Sequence, residues 1–273
     1  MMWGISITFE DYPLEQALRL MCDLGFDGVE MWKHHLRRCK TETLRREFAG
    51  TANEMGLKLG GLNVVGEPYY QPFGTDEQMQ AALDGLKADV EFAQSLGVHD
   101  VLIWEGVRPA GSTESDCLTR LLPRLVEFFR AAIALAAPLK ARFLVEPHPF
   151  TVGMDDRVLI KLHDALDSPH FGITYDCCHY GVGRPKDYVA VIHALGPRIR
   201  HIHFSDSDLV TSELHYALGT GCLDLQAILD AFRAIRYDGT LTLDLYGNPM
   251  PLQAARRSLP LLRQAYEFLG LPQ

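Results

Sequence analysis

The sequence predicts an α/β fold, a single (β/α)8 TIM barrel domain that spans residues 1–273. Short apolar segments recur along the whole chain, and segments with helical periodicity separate them. Parallel neighbouring strands need a crossover connection, so this alternation predicts a parallel sheet. Eight strand–helix units in 273 residues match a closed barrel in number and in length. An open doubly wound sheet would need a glycine-rich phosphate loop after the first strand, and residues 7–10 do not form one.

The predicted strands are short apolar runs rich in β-branched and aromatic residues. In chain order they cover residues 3–7, 28–32, 57–65, 101–104, 142–146, 171–176, 199–204 and 240–246. The intervening helices are expected to begin at residues whose side chains can cap a first turn, namely Thr41, Thr75 and Asp155. They are expected to end at glycines just ahead of the next strand, namely Gly56, Gly97 and Gly239.

The composition limits which binding partners and which cellular compartment we expect for this protein. With 26 basic and 35 acidic side chains the formal net charge is −9, which argues against a nucleic-acid backbone or an anionic membrane surface as the main partner. No run of 18 apolar residues occurs, and Glu10 and Asp11 come too early for a signal peptide. Six scattered cysteines show neither metal-finger spacing nor the density of a disulfide scaffold, so we expect a reduced, cytoplasmic protein.

Ionisable side chains stand at the ends of the predicted strands, where a barrel carries its active site. Strand alternation turns Glu146, Asp176, His203 and Asp244, from four consecutive strands, toward the barrel axis. Three carboxylates in one cavity would repel one another unless a cation joined them. Three oxygen ligands and one imidazole suit one divalent metal ion, with Mn, Mg, Co or Fe favoured over Zn. Alternatively, each residue is a separate salt-bridged or capping group, but their matching depth on consecutive strands favours a shared site.

These residues stand in motifs that resemble the xylose isomerase-like TIM barrel superfamily, which includes ketose 3-epimerases, hydroxypyruvate isomerase, inosose isomerases and dehydratases, and endonuclease IV. The motifs are Val-Glu-Pro at 145–147, Asp-x-x-His at 176–179, His-Ile-His-Phe-Ser-Asp at 201–206 and Gly-Thr-Gly at 219–221. The resemblance covers essentially the whole chain. It implies that Glu146, Asp176, His203 and Asp244 match the four-ligand metal site of the epimerase-type members, and that His179 touches substrate. Glu213 and His215 correspond to an Asp-x-His pair of endonuclease IV-type members.

Two departures from the family pattern bear on the reaction. Asp244 stands where these families usually have a glutamate, and the epimerases use two glutamates on opposite faces of one carbon. Asp244 could bind metal without reaching that carbon, which leaves one-base isomerisation or dehydration by β-elimination open. Endonuclease IV needs further histidines on strands three and four, where this chain offers only Asn63, Glu67, Trp104 and Glu105. Together with the net charge, this argues against an abasic-site nuclease.

The favoured hypothesis is a divalent-metal-dependent sugar isomerase or epimerase that acts on a keto sugar or related polyol ketone through an enediolate. The metal would act as a Lewis acid, Glu146 as the general base, and Asp244 as its counterpart on the opposite face of the substrate. The first alternative is a metal-dependent lyase or dehydratase that acts on an inosose-like or keto-sugar substrate. The second alternative is a barrel without catalysis that serves as a ligand-binding or partner subunit.

The expected partner is a small-molecule sugar or polyol without phosphate, with no nucleic acid and no membrane, and association into a homo-oligomer is left open. Candidate substrate-binding residues are Trp104, His148, His179, Glu213 and His215. The last two lie in residues 205–223, a long connection of the kind that carries function in barrels. We expect His201 to be a core histidine, and His34 and His35 to lie on a solvated face. Glu67 is expected in a loop, where it either contacts the substrate or is only solvated.

Overall fold

The computed structural model describes residues 1–65 and 71–272, and its eight strands close into one barrel of parallel strands. The strands are β1 Trp3–Ile5, β2 Gly28–Trp32, β3 Lys58–Asn63, β4 Asp100–Ile103, β5 Arg142–Val145, β6 Phe171–Asp176, β7 Ile199–Phe204 and β8 Thr240–Leu243. Each strand pairs with the next in the chain, and β8 pairs with β1. The predicted fold class is confirmed.

Helices fill the connections and surround the barrel. They are α1 Leu14–Leu24, α2 Glu42–Glu54, α3 Asp76–Ser95, α4 Glu114–Asp116, α5 Leu122–Ala136, α6 Asp156–Leu166, α7 Cys177–Gly183, α8 Tyr188–Leu195, α9 Leu225–Ala234 and α10 Pro251–Leu269. Short 3-10 segments lie at Ser6–Phe9, Lys33–Arg38, Ala137–Leu139, Val152–Met154 and Gly196–Arg198, and a π-helical turn at Cys117–Leu121. Among the described helices, none is both long enough and apolar enough to cross a bilayer.

The strands differ from the sequence prediction mainly at their carboxyl ends. β2, β6 and β7 have the predicted bounds, whereas the other five end one to three residues earlier. β1 stops where the chain turns into a 3-10 helix at Ser6, whose hydroxyl accepts the Trp32 amide at 2.8 Å. β8 stops because the Leu245 amide donates to the Thr8 hydroxyl at 3.1 Å. The residues that follow β5 and β8 therefore lie at the mouth of the barrel, just past the last strand pairing.

Helix boundaries follow the expected capping chemistry with one correction. Thr41, Thr75 and Asp155 each accept a backbone amide of the first turn, as predicted. Gly56 and Gly97 have the positive φ that ends a helix, +77° and +74°. Gly239 does not end α9, because Arg236 takes the left-handed conformation instead. A Cβ at Gly239 would lie 2.4 Å from the carbonyl oxygen of Arg200, so close packing beside β7 explains this glycine.

A tryptophan fills the amino-terminal end of the barrel. The Trp3 indole occupies space that side chains at Gly28 and Gly60 would need, since a Cβ there would lie 2.2 and 2.4 Å from Trp3 Cζ3. Outward-facing strand residues such as Tyr175 and Phe204 are buried under the helices. With its amino-terminal end filled by Trp3, the barrel presents its inward polar residues at the carboxyl ends of the strands, as barrel enzymes do.

One carboxylate organises the long connection that follows β7. Asp206 is buried, and its two oxygens accept four backbone amides at 2.9 to 3.0 Å, those of Ser207, Gly219, Gly221 and Leu223. The backbones of Asp206 and Tyr216 also pair as an antiparallel bridge. This connection carries Glu213 and His215, so Asp206 fixes the segment that brings these two side chains to the mouth.

Candidate active site

The four residues predicted as metal ligands meet at the mouth of the barrel. Glu146 follows β5, Asp176 ends β6, His203 lies in β7 and Asp244 follows β8. Each is buried, with at most 4% of its surface exposed. One oxygen or nitrogen atom from each residue lies within 4.8 Å of those of the other three. The structure thus brings the whole set together, and its role as a ligand set stays a prediction.

His203 is central to this cluster because its Nδ1 faces all three carboxylates. Nδ1 lies 2.8 Å from Glu146 Oε1, 3.6 Å from Asp176 Oδ2 and 3.6 Å from Asp244 Oδ2. The other oxygen of Asp176, Oδ1, accepts the His179 amide at 2.7 Å, which caps α7 and fixes the carboxylate. One imidazole and three carboxylates therefore surround a common point.

The electrostatics of the cluster favour a positive charge at this point. Burial raises the pKa of Glu146 to about 7, and Asp176 and Asp244 add to this rise although His203 opposes it. Burial also opposes ionisation of Asp176, but His179, His215 and His203 hold the pKa of Asp176 below its ordinary value. Burial disfavours protonated His203, yet Glu146 and Glu30 raise the pKa of His203 well above its ordinary value.

A divalent cation fits this donor set. Asp176 Oδ2 is buried and has no hydrogen-bond partner among the described residues, although it faces the cluster. A buried polar atom without a partner is costly, and a cation would supply the missing interaction. Carboxylate oxygens and imidazole nitrogens are ligands that divalent first-row metals accept. Glu146, Asp176, His203 and Asp244 could therefore hold one ion.

Sequence reasoning missed Glu30 as part of this arrangement. Glu30 lies in the middle of β2, is 1% exposed, and holds its carboxylate oxygens 3.1 and 3.2 Å from His203 Nε2. It also lies 2.8 Å from His201 Nε2 and accepts the Asn63 side-chain amide at 3.0 Å. A histidine that binds metal through one nitrogen usually donates its other N–H to a carboxylate. Strand alternation points Glu30 inward, but no local signal reveals a partner 173 positions away.

We expect Glu30→Gln to weaken Mn²⁺ binding by about 10- to 100-fold, because the carboxylate partner of a ligating histidine contributes about this much. Isothermal titration calorimetry on the folded protein measures the effect, and ¹⁵N NMR of the imidazole reports whether Nε2 still carries the proton. Glu105→Gln, which changes another buried glutamate, is the matched control. Unchanged Mn²⁺ affinity in Glu30→Gln would mean that Glu30 serves only the packing of the interior.

A cavity of about 210 Å³ opens above the cluster. Four of the predicted substrate residues line it, namely Trp104, His179, Glu213 and His215. Trp32, His34 and Tyr246 line it as well. His34 and His35, expected on a solvated face, are both partly buried, and the ring of His34 stacks on Trp32 with 4.4 Å between centroids and 11° between planes. No lysine or arginine is among the described residues of the lining.

His148 lies behind the cavity wall and outside the lining. Its buried ring packs against Trp104 and Phe150 with centroid distances of 4.9 and 3.9 Å. His148 Nε2 lies 2.7 Å from Glu213 Oε1, and this contact lowers the pKa of Glu213. In the structure His148 therefore holds a cavity residue in place instead of facing the cavity itself. Glu67, the other expectation for this side of the site, lies outside the described residues.

The pKa values of His179 and His215 shift in opposite directions, although both residues border the cavity. Burial lowers the pKa of His179 to about 3, and its Nδ1 lies 3.1 Å from the Pro147 carbonyl oxygen. Burial also opposes protonation of His215, but Asp244 and Asp176 raise the pKa of His215 well above its ordinary value. His215 Nδ1 lies 3.3 Å from Asp244 Oδ2. An imidazole with a lowered pKa and one with a raised pKa therefore border the same cavity.

A buried carboxyl group beside the site makes stability depend on pH. Glu105 is fully buried, accepts the Gly153 amide, and has a pKa that burial raises from 4.5 to about 7. The contribution of Glu105 to the free energy of unfolding is therefore fully present below about pH 4.5 and is lost as the pH rises through about 7. From pH 5 to pH 8 we expect the wild type to lose up to about 3 kcal/mol of unfolding free energy relative to Glu105→Gln. Urea unfolding of both proteins at both pH values measures the effect. If the difference in unfolding free energy between the wild type and Glu105→Gln does not change with pH, the prediction is contradicted.

Comparisons with known proteins agree with the barrel and extend over most of the chain. A family model described as xylose isomerase-like TIM barrel matches residues 18–265. Fructoselysine 3-epimerase of Shigella flexneri is 24% identical over 268 residues, which cover 92% of each chain. The putative hydroxypyruvate isomerase of Streptomyces coelicolor is 25% identical over 256 residues, which cover 88% of each chain.

Solved structures of similar fold superpose over nearly the whole chain. D-psicose 3-epimerase with D-tagatose, from Clostridium cellulolyticum H10, gives a TM-score of 0.80 at 15% identity and covers 97% of this chain and 99% of that one. The IOLI protein with a binding zinc atom gives a TM-score of 0.78 at 18% identity and covers 98% of both chains. At these identities the likeness shows a shared barrel fold.

Proposed function

The chain belongs to the xylose isomerase-like TIM barrel family, and we propose that it is a metal-dependent sugar isomerase or epimerase acting on an unphosphorylated keto sugar or related polyol ketone. The observation that carries this proposal is the convergence of three carboxylates and His203 beneath a cavity whose described lining has no basic side chain other than histidine. Relatives named fructoselysine 3-epimerase and putative hydroxypyruvate isomerase support the reaction class.

Glu146 is the proposed general base. Its carboxylate borders both the cluster and the cavity, so it can reach the carbon next to a substrate carbonyl. A carboxylate that would bind the ion through one oxygen can use its other oxygen to take and return a proton. Asp244 is the proposed counterpart, since it also borders the cavity. Its Oδ1 accepts the Tyr246 amide at 2.9 Å, which leaves Oδ2 toward the cluster and His215.

A divalent ion held by the four residues would stabilise the negative charge that develops on the substrate oxygens during enediolate formation. We propose that His179 and His215 hydrogen-bond substrate hydroxyl groups and that Trp104 packs against an apolar face of the sugar, since all three border the cavity. His148 would position Glu213 through their 2.7 Å contact. The six cysteines are free, which supports the proposal that the protein works in the reducing cytoplasm.

Deuterium exchange tests the proposed function directly. The protein is incubated with Mn²⁺ in D₂O together with unphosphorylated ketoses such as fructose, tagatose and psicose, and ¹H NMR follows the hydrogens next to the carbonyl. We expect deuterium incorporation with formation of an epimer or an aldose, and loss of both when EDTA removes the metal. An ultraviolet-absorbing enone would instead support a lyase. Absence of exchange with every ketose would contradict the proposed function.

A further inference from the structure

Glu213 places a half-exposed carboxylate in the wall of the active-site cavity. Its side chain is 55% exposed, whereas the four cluster residues expose at most 4% of their surface. Glu213 belongs to the part of the connection after β7 that lies between two contacts of Asp206, those with the amides of Ser207 and Gly219. A substrate that reaches from the buried cluster toward solvent therefore passes Glu213 with the carbons that lie beyond the reacting centre.

One carboxylate oxygen of Glu213 is held by the protein, and the other is open to a ligand. Oε1 lies 2.7 Å from His148 Nε2 and accepts the Ser212 hydroxyl at 3.1 Å. Oε2 has no hydrogen-bond partner among the described residues. A carboxylate oxygen has two lone pairs, and its hydrogen bonds are stronger than those of a neutral acceptor. Oε2 can therefore accept a hydroxyl group of a ligand in the cavity.

The imidazole that holds Oε1 is itself fixed on both sides. The buried ring of His148 lies 4.9 Å from the ring of Trp104 and 3.9 Å from that of Phe150, measured between centroids. The His148 amide donates to the Thr151 hydroxyl, and this hydroxyl donates to the His148 carbonyl oxygen, both at 2.9 Å. A group that is held before its ligand arrives loses little conformational freedom on binding. Glu213 is therefore a preorganised acceptor.

We propose that Glu213 is a specificity-determining residue whose Oε2 accepts a substrate hydroxyl group at carbon 4 or carbon 5, beyond the reacting centre. Trp104 packs against the C–H face of the sugar, which turns the hydroxyl groups at its edge toward polar side chains. The configuration of the distal carbon then decides whether its hydroxyl reaches Oε2. His148 is a positioning residue that acts through Glu213. This inference rests on the proposed function, because it takes the reacting carbons to lie at Glu146.

Ketoses that differ at a single distal carbon test this assignment. D-tagatose differs from D-fructose only at carbon 4, and L-sorbose differs from D-fructose only at carbon 5. Deuterium exchange with Mn²⁺ in D₂O gives kcat/KM of each ketose for the wild type and Glu213→Ala. We expect the wild type to discriminate between one such pair by about 10- to 100-fold, because a hydrogen bond to a charged group contributes about this much. Glu213→Ala should bring this ratio to about one, through KM more than through kcat.

His148→Phe separates a positioning role from a structural one. Phenylalanine keeps an aromatic ring between the neighbouring rings and removes Nε2, so the ratio should fall toward that of Glu213→Ala. The double variant should then match Glu213→Ala, because both changes act through one carboxylate. A merely structural role would instead lower the rates of all three ketoses equally. Val210→Ala is the matched control, since Val210 lies in the same segment, is 77% exposed and does not line the cavity.

The outcomes separate the selectivity from the reaction. Equal kcat/KM for the three ketoses in the wild type, or an unchanged ratio in Glu213→Ala, would overturn the inference and leave the proposed function standing. Loss of Mn²⁺ from Glu213→Ala, measured by elemental analysis, would make Glu213 a metal ligand and overturn the inference as well. If no ketose exchanges, the proposed function fails, and calorimetric binding of the three ketoses to wild type and Glu213→Ala decides the inference. Equal affinities in the two proteins would overturn it.

Discussion

Replacing Glu146 with glutamine should lower kcat for ketose exchange by about 10²- to 10⁴-fold, the usual contribution of a general base. Glutamine has nearly the same shape, so it can occupy the place of the wild-type side chain, whose carboxylate lies 2.8 Å from His203 Nδ1. The barrel should therefore stay folded while proton abstraction is lost. Deuterium exchange followed by NMR measures the rate, and circular dichroism checks the fold.

Two companion variants make the Glu146 result specific. Glu105→Gln changes a glutamate that is equally buried but does not line the cavity, and it should retain most of the exchange rate. Asp244→Asn tests the counterpart: a smaller loss than in Glu146→Gln would indicate that Asp244 serves mainly as a ligand. A Glu146→Gln protein with wild-type kcat would show that the base is a different residue.

The second large effect concerns metal binding. We expect the purified protein to carry about one divalent ion per chain and His203→Ala to lose it, because Nδ1 of His203 faces all three carboxylates. At a Mn²⁺ concentration 100 times the Kd, the ion should stabilise the wild type by about 2.7 kcal/mol and His203→Ala not at all. Elemental analysis measures the content, and denaturant unfolding with and without Mn²⁺ measures the stabilisation. His163→Ala, a histidine of α6 away from the site, is the control.

The number of ions bound separates the alternatives. Two ions per chain would indicate a second site, formed by Glu30, His201 and His203 or by Asp176, His179 and His215, since the ligand atoms of each set also lie within 4.8 Å of one another. No ion after reconstitution would contradict metal dependence and favour a barrel that only binds a ligand. Retention of the ion in His203→Ala would place the metal elsewhere in the protein.

The sequence was sufficient for the fold and for the position of the four cluster residues, because both follow from periodicity. Apolar runs separated by helical segments define the strand–helix order, and strand alternation tells which side chains face the axis. Asp176 and His203 lie in β6 and β7, two strands whose predicted bounds are those of the structure. The inward direction of these side chains was therefore readable without a three-dimensional structure.

Contacts between distant strands could not be read in this way. Glu30 reaches His203 across the interior of the barrel, and the pairing of β2 with β3 shifts register between Val29 and Met31. No local pattern shows such a shift. The position of His34 likewise depends on how the 3-10 segment after β2 folds back over Trp32. Charge and polarity alone predict a solvated stretch there.

In the connection after β7, some residues are fixed by hydrogen bonds to the buried carboxylate of Asp206, and a stretch between them is not. The four amide contacts of Asp206 hold residues 207, 219, 221 and 223, while residues 208–214 extend beyond these contacts and carry Glu213. New segments grafted between the fixed points would have to keep the contacts of Cys178 Sγ with the carbonyl oxygens of Thr211, Ser212 and Leu214, because Cys178 follows the cluster residue Asp176 by two positions. Substitutions in 208–214 would then change which sugars bind, while the residues that transfer the proton stay the same. This stretch is therefore the natural target for directed evolution of substrate selectivity.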